Sequence, residues 1–318
     1  MRVLFFAKDH KKTGNTAHIL RGFAGQGHQV RHLNRRRFER LMGKRLAWWV
    51  LQRKVGGFQP DLVLVYSCDL PANKLQELRE QGYTTATFFD DCPRELDARI
   101  KASAAASDVF AITNRGQVAL FEEQTGTRAV QVTGACDPED HFRVPFDPTY
   151  ASDVAFIGRP DERGERVPVL RALAEHYDVR VYGPGNWEEL GFKRGLKAAY
   201  SHHYRAICNS AKVMVGCDLR ADVDQYFSNR TWLTLGCGGF LATRYVPNLE
   251  EIFTDGEHCA FWRSPQHAVD VVGRYLEDEQ ARQRVAQAGH DLAHSRYEYR
   301  HLVQRLLGEP AFAGKLPQ

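Results

Sequence analysis

The chain has 318 residues, 43% of them hydrophobic and 26% charged, with a formal net charge of +4. That is long enough for two globular domains of ordinary size, and no run approaches the ~18 apolar residues of a membrane span. The opening MRVLFFAKDH turns charged too soon for a secretory signal, and the seven cysteines are odd in number and lack any Cys-x-x-Cys spacing, which excludes a disulfide framework or a zinc site and points to a reducing cytoplasm.

Taken in order, 2–7 reads as a strand, the residues around Ile19, Leu20 and Phe23 as a helix, and 29–33 as a second strand. This is the opening of a Rossmann-like domain, and the loop holding His10, Gly14 and Asn15 lies at the carboxyl end of its first strand. No Gly-x-Gly-x-x-Gly is present, so a dinucleotide cofactor is not expected. Next comes a basic stretch, with Arg31, Arg35, Arg36, Arg37, Arg40, Lys44, Arg45, Arg53 and Lys54 against the single acid Glu39, and with Trp48 and Trp49 among them. A helix of this kind can lie on anionic lipid, nucleic acid or an acidic glycan; equally, it can be a solvated outer helix with its tryptophans in the core.

Strands are predicted at 61–66, 84–89 and 108–112, with a helix at 73–81 between the first two. Their polar ends, Ser67 with Cys68 and Asp69, Asp90 with Asp91, and Thr113 with Asn114, are expected to converge on one cleft. Asp90 or Asp91 could serve as base toward an acceptor hydroxyl; alternatively, Asp91 caps the following helix. A strand at 131–133 closes this half, and 134–148, with three prolines and several acids, reads as a linker.

A second α/β domain begins near Ser152, with strands at 153–157 and 179–182 around a helix at 167–176. Its first loop, Gly158-Arg-Pro-Asp-Glu-Arg-Gly-Glu-Arg166, places Gly158, Arg159, Arg163 and Arg166 before a helix start, a combination suited to a diphosphate. Tyr182-Gly-Pro-Gly-Asn-Trp187 turns at the next strand end. After a strand at 213–216 comes a polar segment, Ser228, Asn229 and Arg230, leading into a short helix and a glycine turn at Gly236, Gly238 and Gly239. Arg230 could hold an anion at that helix start, or pair with Asp222 or Asp224. Amphipathic helices at 265–276, 279–294 and 297–307 close the chain, and neither internal repeats nor low-complexity segments occur.

The residues Tyr226-Phe-Ser-Asn-Arg-Thr-Trp-Leu-Thr-Leu-Gly-Cys-Gly-Gly-Phe-Leu-Ala-Thr243, Asn248-Leu-Glu-Glu-Ile-Phe-Thr-Asp-Gly-Glu257, Tyr275-Leu-Glu-Asp-Glu279, Ala288-Gly-His290 and Tyr297 resemble the C-terminal half of group-1 GT-B glycosyltransferases. Ser152-Asp-Val-Ala-Phe-Ile-Gly-Arg159, Tyr182 to Trp187 and Phe89-Asp-Asp-Cys-Pro93 are similar to the CgeB-like, spore-maturation branch. The resemblance implies an α/β GT-B fold of two Rossmann-like domains facing each other across a cleft: 1–145 for the acceptor, 146–296 for the donor, and 297–318 as closing helix and tail. It implies transfer from a nucleotide-diphosphate sugar, a UDP-sugar first among them, without a bound metal or other cofactor.

On that resemblance Gly158, Arg163 or Arg166, Ser228, Arg230, Gly238 and Gly239 belong with the donor, and a carboxylate of the first half, Asp90 or Asp91, serves catalysis; by their position in the chain Arg159, Gly185 and Asn229 join the donor residues, and His10, Gly14, Asn15, Ser67 and Asn114 are set with the acceptor. Many group-1 members have a glutamate for the ribose three residues after the arginine. Here that position is Leu233, so either another acid such as Asp224 holds the ribose or the nucleotide is gripped differently. The basic segment admits a glycan, a lipid-linked molecule or hydroxymethylated DNA as acceptor. The same fold could instead serve a nucleotide-sugar epimerase or a non-catalytic sugar-nucleotide binding protein.

Overall fold

The computed structural model describes residues 1–8, 13–162 and 164–317. The chain divides into two compact units, Met1–Gly134 with Tyr299–Gln318, and Ala135–Glu298.

In the first unit strand and helix alternate: β1 Arg2–Phe6, α1 Asn15–Ala24, β2 Gln29–Leu33, α2 Arg35–Phe58, β3 Leu62–Tyr66, α3 Ala72–Glu80, β4 Thr84–Phe89, α4 Ala98–Ala105, β5 Val109–Ile112, α5 Val118–Thr125 and β6 Arg128–Gln131. The strands form one parallel sheet in the order β2-β1-β3-β4-β5-β6. Covered on both faces, β3 and β5 are continuous apolar runs, LVLVY and VFAI. On one side Leu4, Phe6, Val63 and Val65 meet Trp48, Leu51 and Val55 of α2 and Leu75 and Leu78 of α3. Further along the same face, Phe110 of β5 stacks on Phe121 of α5 at 4.7 Å.

Asn34 caps α2 by accepting from the Arg37 N–H at 3.1 Å, and the helix breaks at Gly43, whose φ of 76° suits a residue without Cβ. The last strand lies at Arg128–Gln131, not at 131–133. The helix α5 had no counterpart in the sequence reading, and α4 figured there only as the helix that Asp91 would cap.

The second unit runs β7 Ser152–Ile157, α6 Arg166–Ala174, β8 Val179–Tyr182, β9 Lys193–Arg194, α7 His202–Ser210, β10 Ala211–Gly216, α8 Arg230–Gly236, β11 Leu241–Arg244, β12 Ala260–Trp262, α9 Pro265–Glu277 and α10 Glu279–Arg296. Its parallel sheet has the order β12-β11-β10-β7-β8-β9. Side chains alternate along β7: Val154 and Phe156 face a core with Leu170 and Leu173 of α6 and Val272 of α9, while Ala155 and Ile157 face Tyr204 of α7 and Trp232 of α8. Trp232 also stacks on Tyr297 at 3.9 Å.

Two segments belong elsewhere than their sequence suggests. Residues from 135 onward, read as linker, pack into the second unit: Ala135 and Cys136 are buried, and the Cys136 N–H donates to the Tyr297 carbonyl at 2.9 Å. The last helix, α11 Tyr299–Leu307, belongs to the first unit and packs along α1. Gly22 of α1 lets the two backbones approach, since a Cβ there would lie 2.7 Å from the Tyr299 carbonyl oxygen.

Candidate functional site

In an open parallel sheet ligands bind beyond the carboxyl ends of the strands, where neighbouring strands lead to connections on opposite sides. In the second unit that point lies between β7 and β10. Gly158 follows β7, and Cys217 and Asp218 follow β10. The Asp218 carboxylate organises the place. It accepts from the Ser228 N–H at 2.9 Å and from Arg230 Nη2 at 3.1 Å, and Arg166 Nη2 stands 4.0 Å away.

Arg230 also donates from Nη1 to the Ile157 carbonyl at 3.2 Å and from Nε to Ser228 Oγ at 3.1 Å. Arg166, 5% exposed, donates from Nε to the Cys217 carbonyl at 2.7 Å. Both guanidiniums lie 5.8 Å from the centre of the Phe156 ring. Two cations thus stand at one carboxylate whose side chain is 9% exposed. Burial, and then the Arg230 charge, lower the Arg166 pKa, while Asp218 and the farther Asp161 oppose that shift.

The turn after β8 supports Gly158. Trp187, fully buried, donates its indole N–H to the Gly158 carbonyl at 3.1 Å. Gly183 and Gly185 both have φ near 120°, where glycine is at ease. A Cβ on Gly183 would come within 2.5 Å of the Gly158 carbonyl oxygen, and one on Gly185 within 2.3 Å of Pro160 Cδ. A Cβ on Gly158 itself would lie 2.5 Å from Arg230 Nη1.

The structure therefore brings Gly158, Arg159, Arg166, Gly185, Ser228 and Arg230 together. Arg230 pairs with Asp218 rather than with Asp222, which binds Arg220 at 2.6 Å, or with Asp224. Gly238 and Gly239 are not part of this group. They follow α8, seven residues or about 10 Å long, and precede β11, at the amino ends of the strands; a Cβ on Gly238 would meet Arg143 Nε at 2.3 Å. The Asn229 carboxamide oxygen accepts from the Ala135 N–H at 2.8 Å, and Leu233 packs against the core. Asp224 lies between β10 and α8, and Arg163 lies outside the described residues.

In the first unit the corresponding point lies between β1 and β3. Asn15 opens α1 after β1, Tyr66 ends β3, and Asp90 follows β4. The Tyr66 hydroxyl donates to Asp90 Oδ2 in a short hydrogen bond, and Asn15 Nδ2 donates to the same oxygen at 3.3 Å and to the Tyr66 hydroxyl at 3.0 Å. The Tyr299 hydroxyl reaches Asn15 Oδ1 at 3.5 Å.

Burial raises the Asp90 pKa and the Asp91 charge adds to that, against the Tyr66 hydrogen bond. Burial and the Asp90 charge raise the Tyr66 pKa well above its ordinary value. Asp91 is exposed, and the helix that follows it, α4, is capped by Asp97 instead, which accepts from the Ile100 N–H at 2.8 Å. Ser67 has a φ of 53° and donates its N–H to the Phe88 carbonyl at 2.7 Å. Gly14 is the residue before α1. Asn114 is fully buried and closes its own loop, with Oδ1 accepting from the Gln117 N–H at 3.0 Å; that structural duty replaces the expected place at a ligand. His10 lies outside the described residues.

Two central residues escaped the sequence reading. Tyr66 was read only as the end of a strand. Asp218 stands two residues past β10, so the strand-end rule that drew attention to Asp90 would have found it.

Comparison with known proteins bears on the second unit first. Residues 165–308 match a family described as glycosyl transferase-like. No curated protein matches the chain by sequence. Among solved structures, HepE of Anabaena in complex with UDP and glucose superposes with a TM-score of 0.69 at 11% identity, covering 96% of this chain and 98% of that one. Sucrose-phosphate synthase of Thermosynechococcus elongatus gives 0.68 at 12% identity, with 96% and 97% covered. A putative UDP-N-acetylglucosamine 2-epimerase of Listeria monocytogenes gives 0.57 at 10% identity, with 99% and 96% covered. The chain has the GT-B fold, two Rossmann-like units each on a six-stranded parallel sheet, and its residues 165–308 are similar to the glycosyl transferase-like family.

Proposed function

We propose that the chain is a glycosyltransferase that moves a sugar from a nucleotide-diphosphate sugar to an acceptor hydroxyl. The observation behind this is the Arg166 and Arg230 pair around Asp218 beside Gly158, at the switch point of the second sheet and inside the matched stretch 165–308. Guanidiniums offset the charge that builds on a departing diphosphate, so the reaction is proposed to need no metal and chelation should leave turnover unchanged. Arg230, with its side chain 31% exposed, is the group proposed to touch phosphate, and Arg166, with 6%, to hold Asp218 and the loop in place. Since HepE was captured with UDP and glucose, UDP-glucose is the first donor to test.

The acceptor is assigned to the first unit, where Asp90, held by Tyr66 and Asn15, takes the hydroxyl proton as the glycosidic bond forms. Of the two adjacent acids, Asp90 is preferred because its environment raises its pKa. A glycan, a lipid-linked molecule and modified DNA stand as the acceptor classes. Within its family the chain is proposed to lie nearest the CgeB-like branch, and to work in the cytoplasm, in keeping with cysteines that form no disulfide.

The test is a thermal-shift series with UDP-, GDP-, TDP- and CDP-sugars, because a ligand that binds only the native state raises its stability. The expected outcome is a shift with one nucleotide, abolished by Arg230→Ala. No shift with any of the four would end the assignment. An epimerase, suggested by the Listeria likeness, would convert the donor without an acceptor; a binding protein would shift and turn nothing over.

A further inference from the structure

The donor and acceptor chemistry above leaves unused the most strongly charged element of the molecule, α2. Arg36, Arg37, Arg40, Lys44, Arg45 and Arg53 are exposed on it, and the one carboxylate between 35 and 54, Glu39, is tied to Arg35. Among these cations stand large apolar side chains turned to solvent: Leu41 is 71% exposed, Leu46 52% and Trp49 50%. After the break at Gly43 the helix is two-faced. Ala47, Trp48, Leu51 and Val55 are buried, while Leu46, Trp49 and Arg53, spaced by three and four residues, share the opposite face. The Arg53 guanidinium lies over the Trp49 ring at 4.1 Å. Of the two roles open to the tryptophans, core and surface, each is taken by one: Trp48 is core, donating its indole N–H to Glu77 at 2.9 Å, and Trp49 is surface.

Cations alone would suit any polyanion. Exposed leucines beside them narrow the choice, because a nucleic acid or an acidic glycan offers Leu41 and Leu46 nothing apolar to enter, whereas the boundary of headgroup and acyl chain does. A tryptophan with an arginine on its ring matches the mixed polarity of that level. We propose that α2 docks the first unit onto an anionic lipid bilayer, with Leu41, Leu46 and Trp49 entering the interface and the flanking arginines on lipid phosphates. Docking combines two signals, charge and insertion, each cation near such a surface contributing roughly fivefold in partitioning. It does not rest on the donor chemistry, and among the described residues no helix is long and apolar enough to cross a membrane.

The test uses the full-length chain and sucrose-loaded vesicles of phosphatidylcholine alone or with roughly one third phosphatidylglycerol. At least tenfold more protein should sediment with the anionic vesicles, and less as salt rises. Leu46→Ser with Trp49→Ser should cut that binding about tenfold, and Arg40→Glu with Arg45→Glu should abolish it, with melting temperatures unchanged because all four side chains are exposed. Brominated lipid should quench the fluorescence of the wild type but not of Trp49→Phe, since Trp48, Trp187, Trp232 and Trp262 are buried. Equal partitioning to both vesicle types, full binding by the Leu46/Trp49 variant, or release of the protein from vesicles by duplex DNA at equal phosphate concentration would each overturn the proposal.

Discussion

Because burial and the Asp91 charge raise the Asp90 pKa while the Tyr66 hydroxyl pulls it back, the state of this carboxyl is set by a tyrosine one strand away. Tyr66→Phe removes the hydrogen bond that favours the carboxylate, so the acid limb of the kcat/KM profile should move to higher pH. Asp90→Asn should remove that limb and lower kcat by about a hundredfold or more. Stability supplies an independent sign. A carboxyl whose folded pKa lies above its unfolded one stabilises the fold at low pH, and that contribution is lost as pH rises from the unfolded value through the folded one. Asparagine stays neutral throughout. The melting temperature of Asp90→Asn should therefore improve relative to wild type as pH rises from about pH 4, and a difference that does not change with pH would show that Asp90 is not raised. Sequence alone located this carboxylate at a strand end but could not choose between Asp90 and Asp91, since the choice depends on Tyr66 and Asn15, 24 and 75 residues away.

Among the elements, strands covered on both faces were the most legible, because an apolar run such as LVLVY has few other places to go. The helices α4 and α5, eight residues each, were too short to show a periodic face. Glycines were legible as turns but not as to purpose. Gly158 and Gly238 look alike in sequence, yet one faces Arg230 beyond the carboxyl ends of the strands and the other faces Arg143 at the amino ends. Gly22, which the sequence did not single out, admits the α11 backbone. Two substitutions separate these duties. Gly22→Ala sets a Cβ 2.7 Å from a carbonyl oxygen that only backbone movement can relieve, and should cost about 1–3 kcal/mol in denaturant melts. Gly158→Ala meets the Arg230 guanidinium and the Phe156 ring at 2.5–2.8 Å. The first is the end of a flexible side chain and the second a ring in the core, so the change should weaken UDP-sugar affinity and cost less stability than Gly22→Ala, where only backbone can yield. Equal stability losses for both would remove the distinction.

At the scale of the whole chain, the second unit is one continuous stretch, Ala135–Glu298, whereas the first is completed by residues that return after it. Both faces of the second sheet are covered by that stretch's own helices, so 135–298 should fold when excised. By contrast, a chain ending at 134 lacks α11, with Tyr299, Leu302, Val303 and Leu306 all buried. At about 1.5–3 kcal/mol for each such side chain, an upper estimate, the loss is ~6–12 kcal/mol, comparable with the whole margin of a typical domain. That fragment should show no cooperative transition by circular dichroism. If the donor reading is right, the excised second unit should also keep the nucleotide site, because Gly158, Arg166, Asp218 and Arg230 are all its own. Ligand at a hundredfold excess over its Kd adds roughly 2.7 kcal/mol, which for a domain of this size raises the midpoint by roughly 5–10 °C. A cooperative melt of 135–298 that UDP does not move, alongside a full-length chain that UDP does stabilise, would show that the Arg166–Asp218–Arg230 group is not sufficient and that residues outside the stretch complete the nucleotide site.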